Sequence, residues 1–174
     1  MMSNIIDRVG PCRLEARRSG THYDALVRSI VFQQLSGKAA STIHRRFTEL
    51  YPGKRPRAEH VVKTEEHLLR GAGLSRQKIG YLRDLSARVA DRSLPLAHLG
   101  RLKDDEIIEH LVQVKGIGRW TVQMFLMFRL GRPDVLRQDA TQAQQQANAQ
   151  GQKHVGGLLG KMLDMAYAPN LRNP

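Results

Sequence analysis

The stretch Leu111–Leu130, LVQVKGIGRWTVQMFLMFRL, constrains this chain more than any other. It reads as the end of one helix, a tight glycine turn and a second helix. Leu111, Val112 and Val114 are the last apolar residues before Lys115-Gly116-Ile117-Gly118. Two glycines around one apolar residue permit positive φ and a close approach of backbone to a ligand. Beyond Gly118, residues Trp120, Thr121, Met124, Phe125 and Phe128 recur near helical spacing. The turn therefore ends at a helix N-terminus, where unpaired N–H groups and the helix dipole favour an anion. Lys115, Arg119 and Arg129 add positive charge around it. Such a stretch is either a plain connector or a phosphate-binding hairpin, and a G-x-G by itself does not separate the two.

Charge favours the hairpin. The chain carries +12 over 174 residues, an excess that suits a polyanion, and nucleic acid fits better than a membrane surface. Residues 137–174 hold four Lys/Arg and two Asp/Glu, so most of the excess precedes them. With 41% hydrophobic residues the chain can bury a real core as one domain or two small lobes. No apolar run reaches membrane-spanning length, and MMSNIIDRVG lacks the pattern of a signal peptide. The single Cys12 excludes a disulfide framework within the chain, a multi-cysteine zinc site and a four-cysteine iron–sulfur cluster. It fits a reducing cytoplasm.

Taken in order, the chain reads as helices joined by short connectors. Ile5, Ile6 and Val9 make a short helical pattern before Gly10-Pro11, and Arg13, Arg17 and Arg18 follow. Thr21 with Asp24 predicts a capped helix over His22–Leu35, with Ala25, Leu26, Ile30 and Val31 inward. A second helix is expected over Lys38–Tyr51, with Ala39, Ile43, Phe47 and Leu50 inward. Short helical elements follow over Ala58–Thr64 and Glu65–Ala72. Ser75 then caps a long helix, Arg76–Ala90, with Ile79, Leu82, Leu85 and Val89 on one face. Its first turn holds Arg76 and Lys78, read as surface charges within reach of a phosphate. Pro95-Leu96 starts a short element, and Asp104 and Asp105 precede a helix over Glu106–Val114, where the macrodipole favours them. No strand-like alternation of useful length occurs, so the fold is predicted all-α. Between the first two helices, Gln33-Gln34 is either solvated filler or a pair of amides that wedge into DNA or read a base edge.

Three strings, ALVRSIVFQQLSGKAASTI, AGLSRQKIGYLRDLSARV and the hairpin itself, occur in the order seen in the alkyl-base branch of the helix-hairpin-helix DNA glycosylases. From about Ile5 to Leu136 the chain resembles bacterial DNA-3-methyladenine glycosylases of type II. The resemblance implies two helical lobes with a DNA cleft between them. It also implies hydrolysis of the N-glycosidic bond of an alkylated purine, such as 3-methyladenine, flipped out of duplex DNA in base-excision repair. Alkylation leaves the base cationic and a good leaving group, so the enzyme mainly stabilises an oxocarbenium-like sugar and guides a water, tasks for a carboxylate. The implied protein is a cytoplasmic, nucleoid-associated monomer that needs no cofactor.

Carried over by position, the resemblance places Gly116 and Gly118 as backbone donors to a DNA phosphate. Lys115, Arg119, Thr121, Gln33 and Gln34 are expected DNA contacts. The carbonyls of Val114 and Ile117 are expected to hold a sodium or potassium ion. Trp120 and Met124 fall where the family builds its base pocket, though a core position is an equal reading of Trp120 from the sequence alone. Lyase-competent relatives have a Schiff-base lysine at the position of Trp120, so the pattern is that of a monofunctional hydrolase.

The family pattern then breaks. Gly131-Arg132-Pro133-Asp134-Val135-Leu136 conforms, but Arg137-Gln138-Asp139-Ala140 stands where an apolar-flanked Asp-Asp-Leu-Gly is expected. Without a gap, Ala140 takes the place of the catalytic aspartate and Asp139 that of its neighbour. Residues 137–153 contain seven glutamines. The expected organisation is a glycosylase-like domain over residues 1–136 and a divergent, partly disordered tail over residues 137–174, as a frameshift or rearrangement would leave. That tail makes the C-terminal part of the fold incomplete, and slow excision follows from the missing carboxylate.

Overall fold

The computed structural model describes Ala16 and residues 19–132. All regular structure among them is helical: α1 (His22–Phe32), α2 (Gly37–Glu49), α3 (Ala58–Lys63), α4 (Glu66–Gly71), α5 (Arg76–Ala90), α6 (Asp104–Leu111) and α7 (Arg119–Leu130). Two 3-10 turns, Pro52–Lys54 and Leu96–Arg101, join them. The all-α expectation holds. The basic cluster at Arg13, Arg17 and Arg18, the N-terminal helical pattern and everything from Pro133 onward lie outside the described residues.

Local signals set the helix starts. The Thr21 hydroxyl accepts from the Asp24 N–H at 3.1 Å, and the Asp24 carboxylate accepts from the Thr21 N–H at 2.8 Å. This reciprocal cap contributes about 1 kcal/mol. Ser36 and Ser75 cap α2 and α5 through their hydroxyls. At α6, the Glu106 carboxylate reaches back to the Lys103 N–H at 2.7 Å.

The core lies where α1 packs on α2, α5 and α7, and α3 on α5. Leu26, Val27, Ile30 and Val31 of α1 meet Leu82 and Leu85 of α5 and Val122, Phe125 and Leu126 of α7 in one buried cluster. Tyr23 and Ser86, both buried, share a hydrogen bond of 2.7 Å. Burial pushes the Tyr23 phenol pKa up, so it stays a neutral hydroxyl. On α2 the inward stripe differs from expectation. Ala40, Phe47 and the following Tyr51 are buried, whereas Ala39 is exposed and Leu50 is 38% exposed. The helix begins at Gly37, and the inward stripe then follows from its 3.6-residue period.

Helix ends depart further from the sequence reading. The first helix stops at Phe32 rather than Leu35, because Gln33 is extended (ψ 133°) and Gln34 is left-handed (φ 57°). The helix expected to run to Val114 stops at Leu111, and a tighter turn follows in which Val114 N–H bonds to Leu111 O at 3.1 Å. At the far end of α7, Arg132 closes the structure onto the start of α6. It pairs with Asp104 and donates to Leu102 O at 2.9 Å.

Candidate nucleic-acid interface

The hairpin between α6 and α7 is built on the floor of α5. Gly116 has φ +80°, a conformation that only glycine adopts without cost. A Cβ at Gly116 would also fall within 3.0 Å of the Tyr81 ring. Tyr81 is held in turn by Gln77, whose Nε2 donates to its hydroxyl at 2.6 Å. The Lys115 N–H donates to the Asp84 carboxylate at 2.9 Å, and Arg88 holds that carboxylate at 3.1 Å. Inside the turn, Ile117 N–H donates to Val114 O at 3.0 Å.

Gly118 plays a different part from Gly116. Its φ is −88°, so of the two glycines that permit positive φ only Gly116 uses it. A Cβ at Gly118 would meet nothing within 4 Å, and as the N-cap of α7 it caps the helix with no side chain. No side chain therefore caps the first-turn amides of α7, and Gly118 and Arg119 at that end are exposed. Lys115 and Arg119 are exposed on either side, and Thr121 is half-buried.

The structure brings the two glutamines to this hairpin. Gln33 Nε2 donates to Gly116 O at 2.8 Å across 83 residues of sequence. Gln34 and Leu35 follow, both exposed, before Ser36 starts α2. Lys78 is not a free surface charge. Its ammonium donates to Val31 O at 2.6 Å and Gln33 O at 2.7 Å, answering the carbonyl end of α1. Arg129 likewise is engaged away from the hairpin, donating to Ser19 O at 2.8 Å and to Gly20 O. Its Nε reaches His22 Nδ1 at 3.2 Å.

Trp120 and Met124 sit four residues apart on one face of α7, both partly exposed and outside the buried core. Val122, Phe125 and Leu126 form the core face. Val114 and Ile117 are buried, and the Val114 carbonyl uses one lone pair on Ile117 N–H, leaving the other. Asp139 and Ala140 lie outside the described residues.

Gln123 is the anomaly of α7. It is 4% exposed, and its Nε2 has no hydrogen-bond partner among the described residues. An orphaned buried donor costs about 1–3 kcal/mol. Gln123→Met, which keeps the shape without the donor, is expected to raise stability by about 1 kcal/mol. A urea midpoint that falls in the variant would refute this.

The sequence assigns no role to Tyr81 or Asp84 at the hairpin, and it marks Lys78 as a surface charge rather than as the partner of the α1 carbonyls. The Asp84–Arg88 pair has a visible i,i+4 spacing, but nothing local marks Tyr81 as the wall against Gly116.

An all-α core carrying a glycine hairpin between two helices, the second without a side-chain cap, defines a helix-hairpin-helix protein. The chain belongs to the HhH-GPD superfamily of base excision DNA repair proteins, whose family model matches residues 27–156. It is 38% identical over 119 residues to DNA-3-methyladenine glycosylase 1 of Schizosaccharomyces pombe, covering 67% of this chain and 52% of that protein. Among solved structures it resembles the DNA-3-methyladenine glycosidase of Bacillus halodurans at 38% identity and a TM-score of 0.69, over 76% of this chain and 60% of that one. It also resembles the S. pombe enzyme Mag1 in complex with abasic DNA, at 34% identity and a TM-score of 0.67, over 76% of this chain and 66% of that one. The chain spans only about half the length of the curated relatives it matches, from 41% to 66%.

Proposed function

We propose that this chain is a monofunctional DNA glycosylase that hydrolyses the N-glycosidic bond of alkylated purines of the 3-methyladenine type in duplex DNA. The observation that carries the reading is the braced hairpin, whose first-turn α7 amides have no side-chain cap and lie beside the exposed Lys115 and Arg119. Gly116 is required to build the turn, and Gly118 leaves room for a phosphate to reach the backbone. The phosphate contacts of Gly118, Arg119 and Thr121 position the duplex without reading its sequence. A sodium or potassium ion between the Val114 and Ile117 carbonyls and the phosphate would add to that hold. The base, once extruded, stacks on Trp120 beside Met124, where an electron-rich ring suits a cationic purine. Water then attacks the anomeric carbon as the glycosidic bond breaks and the purine leaves with the bonding pair. In the family a carboxylate stabilises the positive sugar and takes the water's proton; Asp139 stands one residue short of its place. No lysine stands at the Trp120 position to form an imine. The reading implies a monomer acting on the nucleoid in the cytoplasm.

A second reading, a DNA-binding remnant without catalysis, is favoured by Ala140, which falls where the resemblance expects the catalytic aspartate. Adjacent residues on a helix point about 100° apart, so Asp139 serves only if the turn slips by one residue. Loss of such a stabiliser costs on the order of a hundredfold or more in rate.

Duplex binding and single-turnover release of 3-methyladenine, by the chain and by Asp139→Asn, test both readings. Salt-sensitive binding with slow release, little changed in Asp139→Asn, is expected. Fast release that collapses in Asp139→Asn would identify Asp139 as the carboxylate. Binding without any release above the buffer rate would leave the remnant reading, and absence of binding would remove both. Borohydride trapping on abasic-site DNA should give no adduct. An adduct that survives Lys115→Ala would end the monofunctional assignment.

A further inference from the structure

We propose that Gln33 is a positioning residue, a latch that fixes the hairpin relative to the α1–α2 turn, rather than a reader of DNA. This rests on the DNA-binding reading above and adds a role that side-chain type alone does not suggest. The Gln33 amide nitrogen donates to Gly116 O at 2.8 Å. Breaking that bond would strand a half-buried carbonyl, so the side chain is tethered to the hairpin through this N–H. The backbone of Gln33 is pinned as well. Lys78 Nζ holds Gln33 O at 2.7 Å and Val31 O at 2.6 Å, which fixes the residue from which the side chain springs.

The other side of Gly116 is pinned by packing. The Tyr81 ring lies where a Cβ would be, and the Asp84 carboxylate holds the preceding Lys115 N–H at 2.9 Å. Gly116 is thus gripped by α5 through Tyr81 and Asp84, and by the end of α1 through Gln33. A peptide unit is planar, so fixing the Gly116 carbonyl fixes the Ile117 N–H on its opposite side, and Ile117 N–H bonds to Val114 O. The direction of the next amides, at Gly118 and the start of α7, follows from that plane. The same latch sets the exposed pair Gln34 and Leu35 at a constant separation from the hairpin. Two surfaces that must meet one duplex together are thereby held in register before DNA arrives, which lowers the ordering cost of binding.

Gln33→Met keeps the length and bulk of the side chain and removes the donor. In the free chain, hydrogen exchange at the Lys115 and Ile117 amides is expected to rise about tenfold, with α5 core amides unchanged. Unchanged exchange at both hairpin amides overturns the latch, and this measurement needs no DNA. Duplex affinity well below the melting temperature is expected to fall about fivefold to tenfold, as for loss of one net hydrogen bond. Combined with Gly118→Ala, the loss should be less than the product of the two separate losses, because Gln33 acts through the hairpin. Fully multiplicative losses would mean that Gln33 touches DNA itself, and an affinity equal to the unmodified chain would mean that the latch does not matter to binding. Either result overturns the proposal. If the unmodified chain fails to bind duplex, the DNA reading falls while the exchange result still decides the latch. Should Gln33→Met not fold, Gln33→Glu serves. Its carboxylate, ionised at pH 8, cannot donate there. Hairpin exchange at pH 8 should then exceed that of the unmodified chain, and equal exchange counts against the latch.

Discussion

Replacing Gly116 by alanine is expected to lower stability by roughly 2–5 kcal/mol, while the same change at Gly118 stays within about 1 kcal/mol. At Gly116 two costs add. The backbone is left-handed at φ +80°, which penalises a Cβ by about 1–2 kcal/mol. The new methyl also overlaps the Tyr81 ring, and overpacking of this kind costs about 1–3 kcal/mol. The ring cannot simply swing aside, since its base as well as its edge lies in the way and Gln77 holds its hydroxyl. At Gly118 the backbone is ordinary and the space open. Alanine there is only a poorer N-cap. Its methyl instead stands where a phosphate would approach the α7 amides. Gly118→Ala should therefore melt nearly like the unmodified chain yet bind every duplex about tenfold more weakly, whatever its sequence. Gly116→Ala should melt roughly 5–15 °C lower. Equal melting of the two variants, or unchanged duplex affinity in folded Gly118→Ala, would defeat this division of labour.

What the sequence told correctly and what it withheld differ in range. Caps act over three or four residues, so Thr21 with Asp24 and Ser75 with Lys78 N–H placed the starts of α1 and α5 without error. Of the α5 stripe, Ile79, Leu82 and Leu85 are buried as the period demands, and Val89 packs half-buried against the same core. The end of α1 was read three residues late. Nothing near Gln33 announces it, because the carbonyls there are answered by Lys78 from 45 residues away. The two hairpin glycines look equivalent in G-x-G, and only Tyr81, from another helix, tells them apart. Arg129 was assigned to the hairpin by charge alone. The structure ties it to Ser19 and Gly20, at the start of the described core. Motif positions were thus legible, whereas each partner that makes a motif rigid came from a helix far off in the chain. The exposed hairpin residues Lys115, Gly118 and Arg119, with Gln34, are named from pattern alone, whereas the bracing roles of Tyr81, Asp84 and Lys78 are not.

Acid should loosen the turn that carries Gln33. His44 of α2 packs edge-on against Phe32, the last residue of α1, with ring centroids 6.1 Å apart. Arg28 lies over the same Phe32 ring at 3.8 Å. Burial, and secondarily the Arg28 charge, lower the His44 pKa to about 4, with Asp24 opposing weakly. In the unfolded chain the group titrates near 6.5. Between these values the unfolded state holds more protons than the native state, so stability rises with pH across the window. The contribution is therefore complete above about pH 6.5 and is lost progressively as pH falls toward 4. At 1.36 kcal/mol per unit, and allowing for partial exposure, the loss reaches about 2–3 kcal/mol. His22 adds in the same direction, since burial and then Arg129 lower its pKa too. The difference in unfolding free energy between the unmodified chain and His44→Gln isolates His44 from carboxylates that titrate in the same range. That difference should shift by about 2–3 kcal/mol in favour of the glutamine variant between pH 7.5 and 4.5. A difference that stays constant with pH would show that His44 takes up its proton as readily in the fold as in the unfolded chain. Because Phe32 adjoins Gln33, the same acid step should also speed exchange at the Lys115 and Ile117 amides beyond the intrinsic pH effect, and His44→Gln should remove that excess.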